Sequence, residues 1–254
     1  MGLYDAASRT FGGFFHTGDP LNPPPLHRNP WTLFILTGLL LPPLLHLSGL
    51  GVRRPPVPEV VASLPDFALV DQDGQPFTRA DLADAVHVVG FFFTSCQTEC
   101  PRILNVMRGL QEDIATQEPF AGYDGQIKLL GITVDPVTDT PERLTATMAQ
   151  YGLDPARFTM LTGDKAAVHA LVTGGFALAV GDRTETAPGV FDIAHSNRLG
   201  IVDGQGGVRG FYGLEPVGDT IGLTGAQLGT DYDGPDAVRG WAKVVLDDQR
   251  RSAP

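Results

Sequence analysis

The sequence predicts an α/β domain with a central sheet flanked by helices, preceded by an N-terminal transmembrane helix. Two near-continuous apolar runs, His87-Val-Val-Gly-Phe-Phe-Phe93 and Ile127-Lys-Leu-Leu-Gly-Ile-Thr-Val134, have the composition of strands buried on both faces. Between them, from Pro101 to Glu118, apolar side chains recur at Ile103, Met107, Leu110 and Ile114, the period of a helix face. Upstream, residues 33–52 carry no charge over a span close to the thickness of a bilayer's hydrocarbon core.

Taken in order, residues 1–30 form an irregular tail containing Asn22-Pro-Pro-Pro25. Residues 31–52 are the expected anchor, uncleaved because no small-residue cleavage site follows the apolar run. Pro42, Pro43 and His46 are awkward there, although kinks are tolerated in spanning helices. Arg9 and Arg28 precede the anchor and Arg53 and Arg54 follow it, so charge assigns no orientation. The proline-rich stretch 53–64 reads as a stiff spacer to a globular domain of residues 65–254. In that domain Phe67–Val70 and Pro76–Thr78 flank the turn Asp71-Gln-Asp-Gly74, a hairpin signal. Thr140-Pro-Glu-Arg143 opens a helix with an N-cap residue and a first-turn proline. A strand at Phe158–Leu161, a helix from Asp164, and strands around Val190–Ala194 and Leu199–Val202 follow. Gly204-Gln-Gly-Gly207 is a hairpin turn with no helix behind it to cradle a phosphate. Residues 213–235, rich in Gly and Asp, form a surface insertion before a closing helix, Asp236–Arg250.

Charge narrows the partners. The chain carries −11 overall, and residues 1–54 hold four arginines against two aspartates, which leaves −13 for the rest. Such a surface repels phosphate backbones, so nucleic acid is not a partner. A calcium loop at Asp71 fails because the twelfth position is Leu82 where a Glu is required.

Only two cysteines are present, Cys96 and Cys100, four positions apart. A disulfide scaffold needs more bridges at longer spacing, so the pair reads as a redox or metal site. Cys96 follows the strongest strand at its carboxyl end, where open α/β sheets place their sites. Pro101 suits a first helical turn, which puts Cys100 at a helix N-terminus and Cys96 in the loop before it. Backbone N–H groups and the helix dipole there favour thiolate, the form that binds metal or attacks a disulfide. Soft thiolates select Cu(I) or Zn(II), and two alone leave the ion under-coordinated. His195, at the junction of two expected strands near the end of the sheet, is the best third ligand. His87 begins a buried strand and His169 lies mid-helix, both structural positions, while His16, His27 and His46 belong to the tail and anchor.

Three segments match one family: Phe93-Thr-Ser-Cys-Gln-Thr-Glu-Cys-Pro101, Ile132-Thr-Val-Asp-Pro-Val-Thr-Asp-Thr-Pro-Glu142, and His195 followed by Leu199-Gly-Ile-Val-Asp203. On these, residues 65–212 resemble the Sco/SenC family. Its members are thioredoxin-like proteins that bind copper and help assemble the binuclear copper centre of cytochrome c oxidase. The resemblance implies a thioredoxin-like sheet and a copper ion held by Cys96, Cys100 and His195. It also implies an N-terminal anchor with the domain facing the periplasm or the mitochondrial intermembrane space. The implied partner is the copper-binding subunit of the oxidase, with other copper carriers or thiol reductants beside it. Departures are Gln97 where many members have Pro, no tyrosines in 182–194, and a longer insertion after Tyr212. Asp139 suits turn and cap duty with Asp135 ending the strand beside it; a role for either as an acceptor behind His195 or as a docking charge stays open.

The same residues serve a metallochaperone, a thiol–disulfide oxidoreductase that reduces the oxidase subunit's cysteines, or a copper or redox sensor. Three intervening residues between the cysteines and a distant His favour the metallochaperone, a carrier rather than an enzyme.

Overall fold

The computed structural model describes residues 30–48, 56–97, 99–116, 123, 125–187, 190–214 and 235–252. The chain divides into two units, 1–54 and 55–254. In the first, α1 (Pro30–Ser48) is a 19-residue helix that includes Pro42 and Pro43. Its Phe34, Ile35, Leu39, Leu40 and Leu44 are exposed. No helix among the described residues is long and apolar enough to cross a membrane. The tail before Pro30, the end of the anchor segment and residues 215–234 of the expected insertion lie outside the described residues.

The second unit is a mixed sheet with helices against it. Its strands are β1 (Ala62–Ser63), β2 (Ala68–Asp71), β3 (Pro76–Thr78), β4 (Val86–Phe92), β5 (Ile127–Thr133) and β6 (Phe158–Thr162). Next come β7 (Thr184–Ala187) and β8 (Val190–Asp192), then β9 (Leu199–Val202) and β10 (Gly207–Tyr212). The order across the sheet is β1-β10-β9-β4-β5-β6-β2-β3, while β7 and β8 pair only with each other as a separate ribbon. All seven residues of β4 are buried, which is why that run lacks polar alternation. β4, β5 and β6 are parallel, and parallel neighbours need crossovers. Helices α2 (Glu99–Thr116) and α3 (Pro141–Tyr151) lie in those two crossovers. α2 buries Ile103, Leu104, Met107, Leu110 and Ile114. It comes so close to β4 that a Cβ on Gly90 would sit 2.6 Å from the Met107 Sδ, so a larger residue there would have to displace the Met107 side chain. After α4 (Lys165–Ala170) and a π turn at Leu171–Gly175, the chain ends in α5 (Pro235–Ser252). α5 packs Val238, Trp241, Val245 and Leu246 into the same core.

Three expectations change. The stretch 53–64 is not wholly a spacer: β1 pairs with β10, Leu64 is buried, and the Pro58 carbonyl accepts from Arg209 Nη1 at 3.0 Å. The strand near Val190 does not join the main sheet, because both edges of β9 are already taken by β4 and β10. It pairs instead with β7, whose Thr-Glu-Thr-Ala sequence is exposed throughout and shows no apolar alternation. Thr140 occupies the cap position of α3 but its side chain makes no capping bond, whereas Asp164 caps α4 through the Ala167 N–H at 3.0 Å.

This topology converges on one sheet end. The loops after β4 and β5 both leave there, as carboxyl ends of parallel strands do. β9 runs antiparallel to β4, so the residues just before Leu199 emerge at that same end.

Candidate metal centre

β4 gives way to Phe93, which is buried, and the chain turns through Thr94–Gln97 before α2 begins at Glu99. The Cys96 N–H donates to the Phe93 carbonyl at 3.2 Å, closing that turn. Cys100, second in the helix, is buried, and Cys96 is half-buried with a solvent-facing part; both are free thiols. The Phe93 N–H points at the Cys100 Sγ (3.4 Å), and the Cys100 N–H points at the Cys96 Sγ (3.4 Å). The unpaired amide of the helix start therefore falls on the sulfur of Cys96.

His195 reaches the pair from the other side. Its Nε2 lies 3.6 Å from the Cys100 Sγ, and its ring meets the edge of Phe93 at 5.8 Å and 87°. Its Nδ1 lies 2.9 Å from the Ser196 carbonyl oxygen. A carbonyl only accepts, so Nδ1 carries the ring proton and Nε2 offers its lone pair to the thiol, or to a metal that replaces the thiol proton.

A braced loop stands behind the thiols. Asp139, fully buried, accepts from the Thr94 N–H (3.0 Å), the Thr94 hydroxyl and the Thr133 hydroxyl (2.5 Å). These bonds tie the cysteine loop to the end of β5. Burial raises the Asp139 carboxyl above the usual range, aided by nearby Asp135 and opposed by the Thr133 and Thr94 bonds. Asp135 pairs with Arg183, which also donates to the Thr138 hydroxyl. Neither aspartate accepts from His195, whose free nitrogen is spent on Ser196, so the acceptor role left open for them falls to a carbonyl.

The thiol expectation changes too. Burial drives the Cys100 thiol well above its ordinary value, with the neighbouring Cys96 and Asp139 adding to the rise and the Phe93 N–H opposing it. The helix start does not offset the loss of water around a cysteine that is 2% exposed. The Tyr151 phenol is pushed up by burial first and then by its nearness to both thiols. Linear reading missed Phe93, Thr94, Tyr151 and Arg183 as parts of the site. Phe93 and Thr94 stand in the cysteine segment itself; Arg183 has no local signal.

Among the described residues no three His, Cys, Asp or Glu side chains already form a metal cage. The donor chemistry nonetheless suits a soft ion: two sulfurs and an imidazole nitrogen, with no carboxylate among them.

The sequence pattern of SCO1/SenC matches residues 58–222, well over half of the chain. The chain belongs to the SCO1/SenC family. A Stutzerimonas stutzeri protein described as copper-binding is 35% identical over 150 residues, covering 58% of this chain and 68% of the relative. A SCO2-like protein of Rickettsia typhi is 33% identical over 101 residues, which is 39% of this chain and only 44% of that protein. The fold is that of solved family members. A SCO1/SenC family lipoprotein from Bacillus anthracis aligns over 76% of this chain and 99% of its own, at 25% identity and a TM-score of 0.56. Copper-bound ScoI of Bradyrhizobium japonicum aligns over 72% and 99%, at 21% identity and a TM-score of 0.52. BsSco, described as having a disulfide switch and as one of the Sco cytochrome c oxidase assembly proteins, aligns over 76% and 98% at 19% identity and a TM-score of 0.56. The expected SCO1/SenC α/β sheet, thioredoxin-like in arrangement, is therefore the fold of this chain.

Proposed function

We propose that this chain is a copper carrier that binds copper through Cys96, Cys100 and His195 and delivers it to the copper-binding subunit of cytochrome c oxidase. One observation carries the reading: the Cys100 Sγ lies 3.6 Å from the His195 Nε2 while its own N–H holds the Cys96 Sγ. Three soft donors from two chain segments then meet at one sheet end. Copper takes the place of the protons on the thiols; the raised Cys100 value makes binding release a proton and strengthen with pH. The half-exposed Cys96 is the sulfur through which cargo is exchanged with a partner, by ligand substitution at a soft ion. Membership of the family and the copper-binding description of the Stutzerimonas relative support copper as the cargo.

The anchor completes the proposal. Residues 31–52 are uncharged, and the described helix leaves Phe34, Ile35, Leu39 and Leu44 exposed, side chains that a bilayer would cover. The domain would then stand in the periplasm or intermembrane space, beyond a spacer that begins at residue 53.

The second reading, a thiol–disulfide reductase acting on the same subunit, is favoured by Cys96, which faces solvent and accepts the helix-start amide. One experiment separates the two. Copper is titrated into the wild-type, His195→Ala and Cys100→Ser proteins, and disulfide formation is measured in each. His195→Ala should weaken copper binding by more than the about 10–100-fold that a supporting contact carries, yet still form the disulfide. Cys100→Ser should lose both. A His195→Ala protein that binds copper like wild type would sink the carrier reading and leave the reductase.

A further inference from the structure

We infer that Arg183 is a positioning residue for the His195 imidazole: a latch joining the ribbon that carries the histidine to the loop that braces the thiols. The inference rests on the copper-ligand reading above. His195 directly follows the β7–β8 ribbon. Thr184 faces Asp192 across it, and below that rung the Gly181 N–H donates to the Ala194 carbonyl at 2.8 Å. Arg183 sits between these two rungs on the opposite strand, two residues from the one bonded to Ala194. Its guanidinium bonds both the Asp135 carboxylate and the Thr138 hydroxyl.

Those two acceptors belong to a rigid turn. The Thr138 and Asp139 N–H groups both donate to the Asp135 carbonyl, at 3.0 and 2.9 Å. Asp139 in turn holds Thr94 of the cysteine loop. A continuous path of bonds therefore runs from the thiol segment through Asp139 and the turn to Arg183, and across the ribbon to Ala194 and His195.

The ribbon needs such a tie. β7 is exposed at every residue, so core packing does not fix that strand. At its base Ile193 is buried, which supplies one anchor point. Val180, just before the ribbon, also packs against the core, so the base of the ribbon is held while β7 beyond it is exposed; a tie at Arg183 opposes a pivot about that base. Both bonds leave one guanidinium nitrogen, Nη1, whose two N–H groups are fixed in the guanidinium plane, so Arg is pre-organised for the pair of acceptors where the rotatable ammonium of Lys is not. The pair is also shielded: the Asp135 side chain is 8% exposed and that of Arg183 31%, so it is held more firmly than a surface pair.

The test uses the full chain and two independent readouts. In the metal-free protein, amide exchange over residues 181–196 should speed up in Arg183→Ala while β4 and β5 stay protected. Cu(I) affinity, measured by competition with a chromophoric chelator, should fall about 10–100-fold in Arg183→Ala, the range for residues that orient a ligand. The rate of Cys96–Cys100 disulfide formation should not change, which a general loss of structure would alter. Arg183→Lys should restore part of the affinity. If Arg183→Ala leaves the Asp135 carboxylate unpaired and the chain fails to fold, the pair Arg183→Gln with Asp135→Asn removes that charge and carries the same readouts. Wild-type exchange and wild-type affinity in the folded variant would overturn the latch, even with His195→Ala impaired. Should His195→Ala bind copper normally, the ligand reading fails, and the exchange result alone still decides whether Arg183 holds the ribbon.

Discussion

Cys100 follows β4, whose seven residues are all buried, whereas His195 follows a ribbon whose first strand is exposed at every residue. The two supports differ in kind. The thiol side is built into the hydrophobic core, with α2 pressed on Gly90 and with Phe91, Phe92 and Phe93 all inside. Among the described residues the imidazole side rests on a paired ribbon, on Ile193 and Val180 at its base, and on polar ties. A site assembled in this way sets its two sulfurs on the core and its third donor on a support whose position depends on polar ties such as that of Arg183 to Asp135.

The contrast can be broken at its rigid end first. Phe91 is fully buried and packs edge-on against Phe176 with ring centroids 5.0 Å apart. Phe91→Ala should cost about 3–5 kcal/mol in urea unfolding, the range for a buried aromatic removed from a core. A loss under about 1 kcal/mol would mean that the core beneath the thiols is far looser than its packing implies.

His87 tests the same strand by pH. It is buried, its Nδ1 has no hydrogen-bond partner, and burial followed by the Lys128 charge opposite lowers its pKa from 6.5 to about 4. The unfolded chain takes up a proton as pH falls through the ordinary histidine value, and the folded chain does not until about 4. Stability is thus full above about pH 7 and declines between the two values, by about 3 kcal/mol in all. Urea midpoints of the metal-free protein measured from pH 7.5 to 4.5 should show this slope, and His87→Leu should flatten it. An unchanged slope in His87→Leu would assign the acid loss to other groups.

The smallest effect belongs to the ribbon. Thr184, exposed and bonded only weakly to the Asp182 carbonyl at 3.2 Å, can be cut to Ala at under about 0.5 kcal/mol in the same unfolding assay. A larger loss would show that the ribbon is part of the cooperative fold and would narrow the contrast between the two halves.

Much of this was legible in the chain. β4 and β5 announce themselves as apolar runs, α2 by its period, and the placement of Cys96 and Cys100 by a strand that ends and a Pro101 that begins a helix. These are short-range signals, set by neighbours within one or two turns of chain. The under-coordination of two thiolates and the place of His195 between two expected strands pointed to the histidine, and the family resemblance implied the same three ligands. The proton affinity of Cys100 was not legible, because it depends on how completely the fold excludes water from that sulfur. Nor was the ribbon, since Thr184–Ala187 lacks the apolar alternation that marks a strand and gains its partner only when the chain turns back.

By itself, then, the sequence determined that a thiol pair would stand at the carboxyl end of a buried parallel strand and at the start of a helix. Periodicity, proline geometry and the twofold burial of β4 require it. Only the tertiary structure decided that the His195 Nε2 would come within 3.6 Å of a sulfur 95 residues away. It alone brought Arg183 to Asp135 across 48 residues, and Asp139 to Thr94 across 45. No local preference encodes such meetings; they follow from β9 lying antiparallel to β4 and from loops that the sheet gathers at one end.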